Sequence, residues 1–280
     1  MNKQSLSLAN KKKTVKRRQL AAFSSKEEER MTCKQLQDDL YIDKLCDMLK
    51  RIEKEEQDAL DKASQASYAS IKNGGLIHVF STGHSHMIVE EMFYRTGGLV
   101  PVNPILSEEL MLHSGAITST KLERVSGKAK EVLEKEDLRA GDTIIISSNT
   151  GINTVPVEAA LYAKERGLTV ICVTSKKISE TLTSRAPTGQ RLFEVSDIII
   201  DNHAPKGDGL LVIPGTDKIT GGASTFASLF IAQRIVLKIE NLFLKNGEMP
   251  PILLSANLPG GDEYNLKAIE NYKDRIRALK

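Results

Sequence analysis

Cysteine and tryptophan are scarce in this chain of 280 residues, which has three cysteines and no tryptophan. The cysteines are Cys33, Cys46 and Cys172, an odd number without a C-x-x-C pair. This pattern argues against a disulfide scaffold and against a cysteine zinc site, and it favours a reducing compartment. Aromatic residues make up only 5% of the chain. A surface that stacks the bases of single-stranded nucleic acid is therefore not expected.

Glycine and proline are also few, and no apolar run is long. The chain has 19 glycines and 9 prolines, which excludes a collagen-like or low-complexity sequence. No uninterrupted apolar run approaches the roughly 18 residues that a membrane span needs. With 40% hydrophobic and 27% charged residues, the composition is typical of a soluble globular protein with enough chain to bury a core. We expect a cytoplasmic protein without a membrane partner.

Positive charge is concentrated at the start of the chain. Residues 1–30 contain nine basic and three acidic residues, a net charge of +6, whereas the rest contains 30 basic and 33 acidic residues, a net charge of −3. The mildly acidic body has no electrostatic footprint for nucleic acid. We expect the first 30 residues to be a disordered basic extension.

Two interpretations of this extension stay open. It is either a basic arm for RNA, DNA or an anionic surface, or a segment that is not translated. The second follows from Lys26-Glu27-Glu28, which the codons AAG-GAG-GAG of a bacterial ribosome-binding sequence would encode, just before Met31. Met31 is then the candidate start. A signal peptide is excluded because the segment has no apolar core.

The next segment predicts a long helix before the main domain. From Ile42 to Ile52 apolar residues recur at spacings of three and four, which is the period of one helix face. Residues 73–75, Asn-Gly-Gly, end the pattern. We expect an N-terminal helix within residues 31–72, packed on its own domain or across a partner subunit, and one domain over residues 73–280.

Strand and helix patterns alternate along the rest of the chain. Short runs rich in Ile and Val predict strands buried on both faces, at residues 76–80, 143–147, 168–174 and 198–200, with 99–102 as a further candidate. Helical patterns lie between and after them, at residues 85–94, 121–135, 153–166, 178–185 and 224–246. This alternation predicts an α/β fold, with a central parallel sheet and helices on both faces. In such folds ligands bind beyond the carboxyl ends of the strands, where the strand order reverses.

Two loops that directly follow predicted strands are rich in hydroxyl groups. Residues 81–86 read STGHSH, and residues 147–154 read SSNTGINT. Each combines hydroxyl side chains and a glycine with the start of a helix, whose free N–H groups favour a phosphate. Helix capping alone would also explain Ser and Thr at such positions. Neither loop is a P-loop or a G-x-G-x-x-G dinucleotide fingerprint.

These two loops resemble those of the sugar isomerase (SIS) domain, a flavodoxin-like three-layer αβα sandwich that binds phosphosugars. The family pattern G-x-G-x-S is similar to residues 81–85, STGHS, and the pattern S-x-S-G-x-T is similar to residues 148–153, SNTGIN. This chain departs from the patterns at Ser81 for Gly, Thr150 for Ser and Asn153 for Thr. Thr and Asn keep the ability to form hydrogen bonds.

A third family feature, the opening of a helix, is found at residues 221–225, GGAST. Over about residues 34–280 the chain is most similar to the UPF0309 branch, near the phosphoheptose isomerases. The resemblance implies a homo-oligomer, dimer or tetramer, that binds a sugar phosphate without an organic cofactor. The residues implied to hold the phosphate, helped by backbone N–H groups, are Gly83, Ser85, Ser148, Thr150, Gly151 and Asn153.

The resemblance further implies an isomerase that interconverts aldose and ketose phosphates through an enediol. Such a reaction needs a carboxylate or a histidine as base, and a donor for the developing oxyanion. The candidate catalytic residues are Glu91, His86, Glu123 and His113. The same fold and base would also serve an amino-sugar phosphate lyase or etherase. A sugar-phosphate sensor without catalysis is the third alternative.

A metal site is not expected. Phosphoheptose isomerases of this type bind zinc through a His and a Glu on the helix after the first loop. At the corresponding positions this chain has Glu91 and Arg95, and an arginine does not ligate a cation. His84 and His86 alone are a weak metal signal. The resemblance to the heptose enzymes therefore does not extend to their zinc site.

Overall fold

The computed structural model describes residues 36–280. The predicted basic extension over residues 1–30 and the candidate start at Met31 lie outside the described residues. Two helices come first, α1, Leu40–Glu55, and α2, Gln57–Lys72.

The predicted long helix is thus interrupted at Glu56, whose backbone departs from helical geometry with φ −103° and ψ 13°. The Glu56 carboxylate accepts a hydrogen bond from the backbone N–H of Asp201 (3.1 Å). The interruption therefore lies where the N-terminal helices meet the sheet of their own chain.

A sheet of five parallel strands forms the middle layer, as predicted. The strands are β1, Ile77–Ser81; β2, Val102–Ile105; β3, Thr143–Ser147; β4, Thr169–Thr174; and β5, Ile198–Asp201. Their order is β2-β1-β3-β4-β5, so the strand order reverses between β1 and β3. The candidate strand at 99–102 is displaced: β2 begins at Val102, and Leu99 instead forms an antiparallel bridge with Ile252.

Helices cover both faces of the sheet. After the first two they are α3, Met87–Met92; α4, Ala116–Leu122; α5, Lys128–Leu133; α6, Thr154–Glu165; α7, Lys176–Ser179; α8, Leu192–Val195; α9, Ser224–Lys245; and α10, Gly261–Ile269. None of the helices in this part of the chain is long and apolar enough to span a membrane.

The helix predicted over residues 121–135 is divided between α4 and α5. The Glu158 carboxylate accepts hydrogen bonds from the Ser126 hydroxyl (2.5 Å) and the Gly127 N–H (2.8 Å). Gly127 has a φ of +83°, which an α-helix does not allow. The turn between the two helices is therefore held by a contact to α6, which local spacing does not reveal.

Two apolar cores lie on opposite faces of the sheet. Ile77 and Val79 of β1 belong to one core, which α1, α2, α3 and α9 cover. Phe80 of β1 and Ile144 of β3 belong to the other, which α5, α6 and α8 cover. Successive strand residues alternate between the two faces, so each strand needs a continuous apolar run. The three-layer αβα sandwich predicted from the sequence is confirmed.

A two-stranded antiparallel hairpin, which the sequence does not predict, precedes α9. Its strands are β6, Gly209–Val212, and β7, Ile219–Gly222. The carboxylate of Asp208, just before the hairpin, accepts hydrogen bonds from the backbone N–H (2.6 Å) and the hydroxyl (2.8 Å) of Ser224. The hairpin thus holds the start of α9.

Candidate functional site

The carboxyl ends of β1 and β3 lie side by side, where the strand order reverses. Ser81, the last residue of β1, is in register with Ser147, the last of β3, and its hydroxyl donates to the Ser147 carbonyl oxygen (2.6 Å). The two hydroxyl-rich loops therefore begin next to each other, at the place where open α/β sheets bind ligands. The side chains expected to bind phosphate are buried at Ser148 and Asn153 and half-buried at Ser85 and Thr150.

The loop after β3 leaves backbone donors open. The Gly151 N–H donates to the Ser148 hydroxyl (3.3 Å). In the described part of the chain, the N–H groups of Thr150, Ile152 and Asn153 have no hydrogen-bond acceptor. Such groups without a partner are rare in buried or half-buried residues. Together with the start of the 12-residue helix α6, they form a row of donors suited to an anion.

Gly83 and Gly151 have different roles in the two loops. Both have a positive φ, +55° at Gly83 and +63° at Gly151, which favours glycine. A Cβ atom at Gly151 would lie 3.0 Å from Thr174 Oγ1 and 3.2 Å from Ser179 Oγ, so the loop packs tightly against its own protein there. A Cβ atom at Gly83 would meet no atom within 4 Å. The Cβ side of Gly83 therefore faces open space, whereas the Cβ side of Gly151 faces its own protein.

The loop after β1 forms a 3₁₀ turn, Gly83–His86, that borders a small cleft. His84 and Ser85 line this cleft. Across it lie three hydroxyl side chains of α9, those of Ser224, Thr225 and Ser228. Ser224 and Thr225 belong to the predicted helix opening, whereas Ser228 is not among the residues predicted from the sequence. The four-residue spacing from the first to the third, which puts both on one helix face, is the signal that identifies it.

Glu123 connects the two loops. Its carboxylate accepts a hydrogen bond from the Thr82 hydroxyl after β1 (2.9 Å). Its carbonyl oxygen accepts one from the N–H of Val155 at the start of α6 (3.0 Å). Glu123 is half-buried, and it is the carboxylate candidate that the structure places in contact with both loop regions.

His86 is buried at the end of the 3₁₀ turn, with 4% of its surface exposed. Neither ring nitrogen has a hydrogen-bond partner among residues 36–280. Burial, and then the charge of His113, lowers the pKa of His86 to about 4. At neutral pH its imidazole is therefore uncharged, with one N–H donor and one acceptor nitrogen. His113 itself is exposed, on the turn Leu112–Ser114.

Glu91 is engaged by residues outside the two loops. Its carboxylate accepts hydrogen bonds from the Arg95 guanidinium and from the Gln233 side-chain amide (2.7 Å). Gln233 follows Ser228 on α9 and lies about 7.5 Å further along that helix. Glu91 and Arg95, which stand at the positions where the resemblance implies a zinc pair, thus form an ion pair with each other. Within residues 36–280, no group of three or more His, Cys, Asp or Glu side chains is placed to hold a metal ion.

The sheet order and the two loops define a protein of the SIS class. The family model described as SIS domain matches residues 40–175. A UPF0309 protein of Geobacillus thermodenitrificans (strain NG80-2) is 42% identical over 241 residues, covering 86% of this chain and 97% of that protein. One of Caldanaerobacter subterraneus subsp. tengcongensis is 43% identical over 247 residues, covering 86% and 99%. The chain belongs to the UPF0309 family of SIS-domain proteins.

Solved structures with a similar arrangement include two phosphoheptose isomerases. That of Francisella tularensis has a TM-score of 0.47 and 14% identity, and covers 72% of this chain and 96% of its own. That of Neisseria gonorrhoeae has a TM-score of 0.44 and 16% identity, and covers 76% and 98%.

Proposed function

We propose that this protein binds a sugar phosphate at the loops after β1 and β3. The open N–H groups of the loop after β3 carry the proposal, because a phosphate supplies several acceptor oxygens at once. The hydroxyls of Ser85, Ser148 and Thr150, on two loops that begin side by side, add further donors. Membership of the SIS family favours a phosphosugar over other phosphate esters.

We further propose that the bound sugar is isomerised between aldose and ketose. The Glu123 carboxylate removes the proton from the carbon next to the carbonyl, and the carbonyl oxygen gains a proton, which gives an enediol. The proton returns to the former carbonyl carbon while the neighbouring hydroxyl loses its proton, so the composition is unchanged. Uncharged His86 donates its N–H to the developing oxyanion.

The binding test is a thermal-shift titration of the full chain with hexose, amino-sugar and heptose phosphates, with the free sugars as controls. A ligand that binds only the folded state stabilises it by about 2.7 kcal/mol at a hundredfold excess over Kd. We expect one phosphorylated class to raise the melting temperature and its free sugar to leave it unchanged. If no sugar phosphate raised the melting temperature, the proposed binding would be wrong.

The catalytic test compares variants of three carboxylates of the protein. The substrate is the phosphosugar that the binding test identifies. We expect Glu123→Gln to lower kcat by about 10²- to 10⁴-fold with binding retained, and Glu90→Gln, an exposed control, to leave it unchanged. A larger loss in Glu91→Gln would transfer the role of base to Glu91. If the protein bound the sugar phosphate but did not isomerise it, the proposed function would change from an isomerase to a sensor. Release of a substituent from an amino-sugar phosphate would replace it by a lyase or etherase.

We also propose that the protein is a homodimer through the outer faces of α1 and α9. Large apolar side chains are exposed there, with Ile42 at 59%, Phe226 at 49% and Leu237 at 46%. Between the two helices runs a groove lined by Cys46, Leu49 and Phe230. Apolar stripes of this kind mark contact surfaces when they are continuous.

The charged residues beside the apolar stripe of α1, formed by Ile42, Cys46 and Leu49, favour a second copy of the chain as the partner. Along one side of the helix, exposed carboxylates at Asp39, Asp43 and Asp47 are followed by exposed ammonium groups at Lys50 and Lys54. Two α1 helices packed antiparallel about a two-fold axis would place opposite charges together. We expect light scattering to show a dimer, and Phe230→Glu to give monomers while Leu266→Glu, at an exposed leucine of α10, does not. A monomeric wild-type protein would overturn this interface.

A further inference from the structure

Arg185, in the loop between α7 and α8, contacts three successive residues at the start of α6. Its backbone N–H donates to the Ile152 carbonyl oxygen (2.8 Å), and its carbonyl oxygen accepts from the Thr154 hydroxyl (3.1 Å). Its guanidinium Nη1 donates to Asn153 Oδ1 (2.6 Å). One arginine is therefore held, by its main chain and its side chain, against the loop that has the open N–H groups.

The charge of Arg185 is not neutralised within residues 36–280. The contact with Asn153 is the one hydrogen bond of its guanidinium in this range, and no carboxylate forms an ion pair with it there. Several arginines differ: Arg139, Arg191 and Arg234 pair with carboxylates at 2.5, 2.7 and 2.6 Å. Arg185 is exposed, and a guanidinium has five N–H donors. Most of the donors of Arg185 are therefore open to solvent or to a ligand beside the loop.

Asn153 directs this guanidinium. Arginine only donates hydrogen bonds, so the amide oxygen of Asn153 faces Arg185 and the two amide N–H groups are left for another acceptor. A threonine, which the SIS pattern has at this position, has a single hydroxyl on a shorter side chain. The departure at Asn153 therefore provides an acceptor for the arginine and donors for a ligand at the same time.

We propose that Arg185 binds the phosphate group of the substrate and that Asn153 positions its guanidinium, an inference that rests on the proposed function. A planar guanidinium binds two phosphate oxygens at once. The hydroxyls and N–H groups of the loops are uncharged, so the arginine supplies the fixed positive charge of the site. The site thereby selects phosphorylated sugars over neutral ones.

The test uses inorganic phosphate as the probe, titrated calorimetrically into the full chain at constant ionic strength. We expect Arg185→Gln to weaken phosphate binding about 10- to 100-fold. Arg185→Lys restores part of the affinity, because lysine supplies the charge without the planar pair of N–H donors. The control is Arg166→Gln: Arg166 follows the other end of α6 and donates to Tyr162 (2.7 Å), so this change leaves binding unaltered.

Two failures are distinguishable. If wild-type protein binds phosphate and Arg185→Gln binds it equally well, the role of Arg185 is overturned and the proposed function stands. If wild-type protein binds neither phosphate nor any sugar phosphate, the proposed function is overturned and this inference with it. Urea midpoints check that the variants fold. We expect them to match the wild type, because the main-chain contacts of Arg185 remain, and Arg185→Lys decides if Arg185→Gln is unfolded.

Discussion

Two buried histidines, one within β1 and one after its carboxyl end, differ in whether their ring nitrogens have hydrogen-bond partners. His78, within β1, has no exposed surface, and His86, after β1, has 4% exposed. Both nitrogens of His78 are engaged, Nε2 with the Asp142 carboxylate (3.0 Å) and Nδ1 with the Asn103 amide (3.0 Å). Neither nitrogen of His86 has a partner among residues 36–280. The same residue type is thus a structural element in the strand and a buried group without a partner beyond it.

The polar network around His78 is centred on Asp142. This carboxylate also accepts hydrogen bonds from the N–H groups of Leu76 (2.9 Å) and Arg139 (3.0 Å) and from the Arg275 guanidinium (2.7 Å). Burial alone would raise the pKa of Asp142, but hydrogen bonds, first from His78 and then from Arg275, outweigh it and lower the pKa to about 2. The network joins the starts of β1 and β3 to the C-terminal segment.

The carboxyl ends of β1 and β3 are different. There the N–H groups of Thr150, Ile152 and Asn153 and the imidazole of His86 lack partners in the described part of the chain. Arg185 is exposed, and most of its donors are open to solvent or a ligand. Buried polar groups are nearly always paired in folded proteins. A cluster of open ones next to a loop region therefore indicates where a ligand completes the structure, while the paired network at the other end stabilises the fold.

Breaking the paired network has the largest expected effect. Asp142→Ala leaves Arg275 and His78 without their shared acceptor, and removing one partner of a buried ion pair costs about 3–5 kcal/mol. We expect urea denaturation to show this loss, with phosphate binding by the remaining folded protein unchanged. The control, Asp137→Ala, removes a partner of Arg275 that is 37% exposed, and we expect less than about 1 kcal/mol. Equal effects of the two changes would contradict the central role of Asp142.

The open histidine makes stability depend on pH. The pKa of His86 is about 4 in the folded protein, against 6.5 for an ordinary histidine. The unfolded chain therefore binds a proton first, and the free energy of unfolding falls as the pH decreases from about 6.5 towards 4. Between pH 7 and pH 5 this group alone lowers it by about 2 kcal/mol. Urea denaturation at the two pH values measures the difference.

A pair of variants isolates the contribution of His86. His86→Gln removes the titrating group, so we expect its stability to change less between pH 7 and pH 5 than that of the wild type. His84→Gln alters an exposed neighbour, and we expect the wild-type pH dependence. An undiminished pH dependence in His86→Gln would show that this histidine is not kept uncharged in the folded protein.

The sequence predicts most of the sheet because buried parallel strands need continuous apolar runs. The predicted strands at 76–80, 143–147, 168–174 and 198–200 agree with β1, β3, β4 and β5 to within one residue at each end. The prediction of β2 is displaced because Asn103 and Pro104 interrupt the apolar run within it.

Side-chain partners cannot be predicted from local sequence in the same way. Glu91 has a regular position on the helix after the first loop, yet Gln233, 142 residues later, accounts for one of its hydrogen bonds. The contact between Asn153 and Arg185 spans 32 residues and a loop without regular spacing. The loops that form the candidate site are readable as motifs, whereas the choice among Glu91, Glu123 and His86 needs the tertiary packing.

Removing the Ser148 hydroxyl has the smallest expected effect on the fold. It therefore tests whether the loop after β3 serves binding more than stability. This hydroxyl accepts one hydrogen bond, from the Gly151 N–H at 3.3 Å, which is long for such a bond. We expect Ser148→Ala to change the free energy of unfolding by less than about 1 kcal/mol and to reduce the thermal shift caused by the sugar phosphate. Ser70→Ala, which removes a buried hydroxyl bonded to the Leu76 carbonyl oxygen (3.1 Å), is the matched control that leaves the thermal shift intact. If Ser148→Ala instead destabilised the protein by several kcal/mol and left the thermal shift unchanged, the loop after β3 would be a structural element like the network around Asp142.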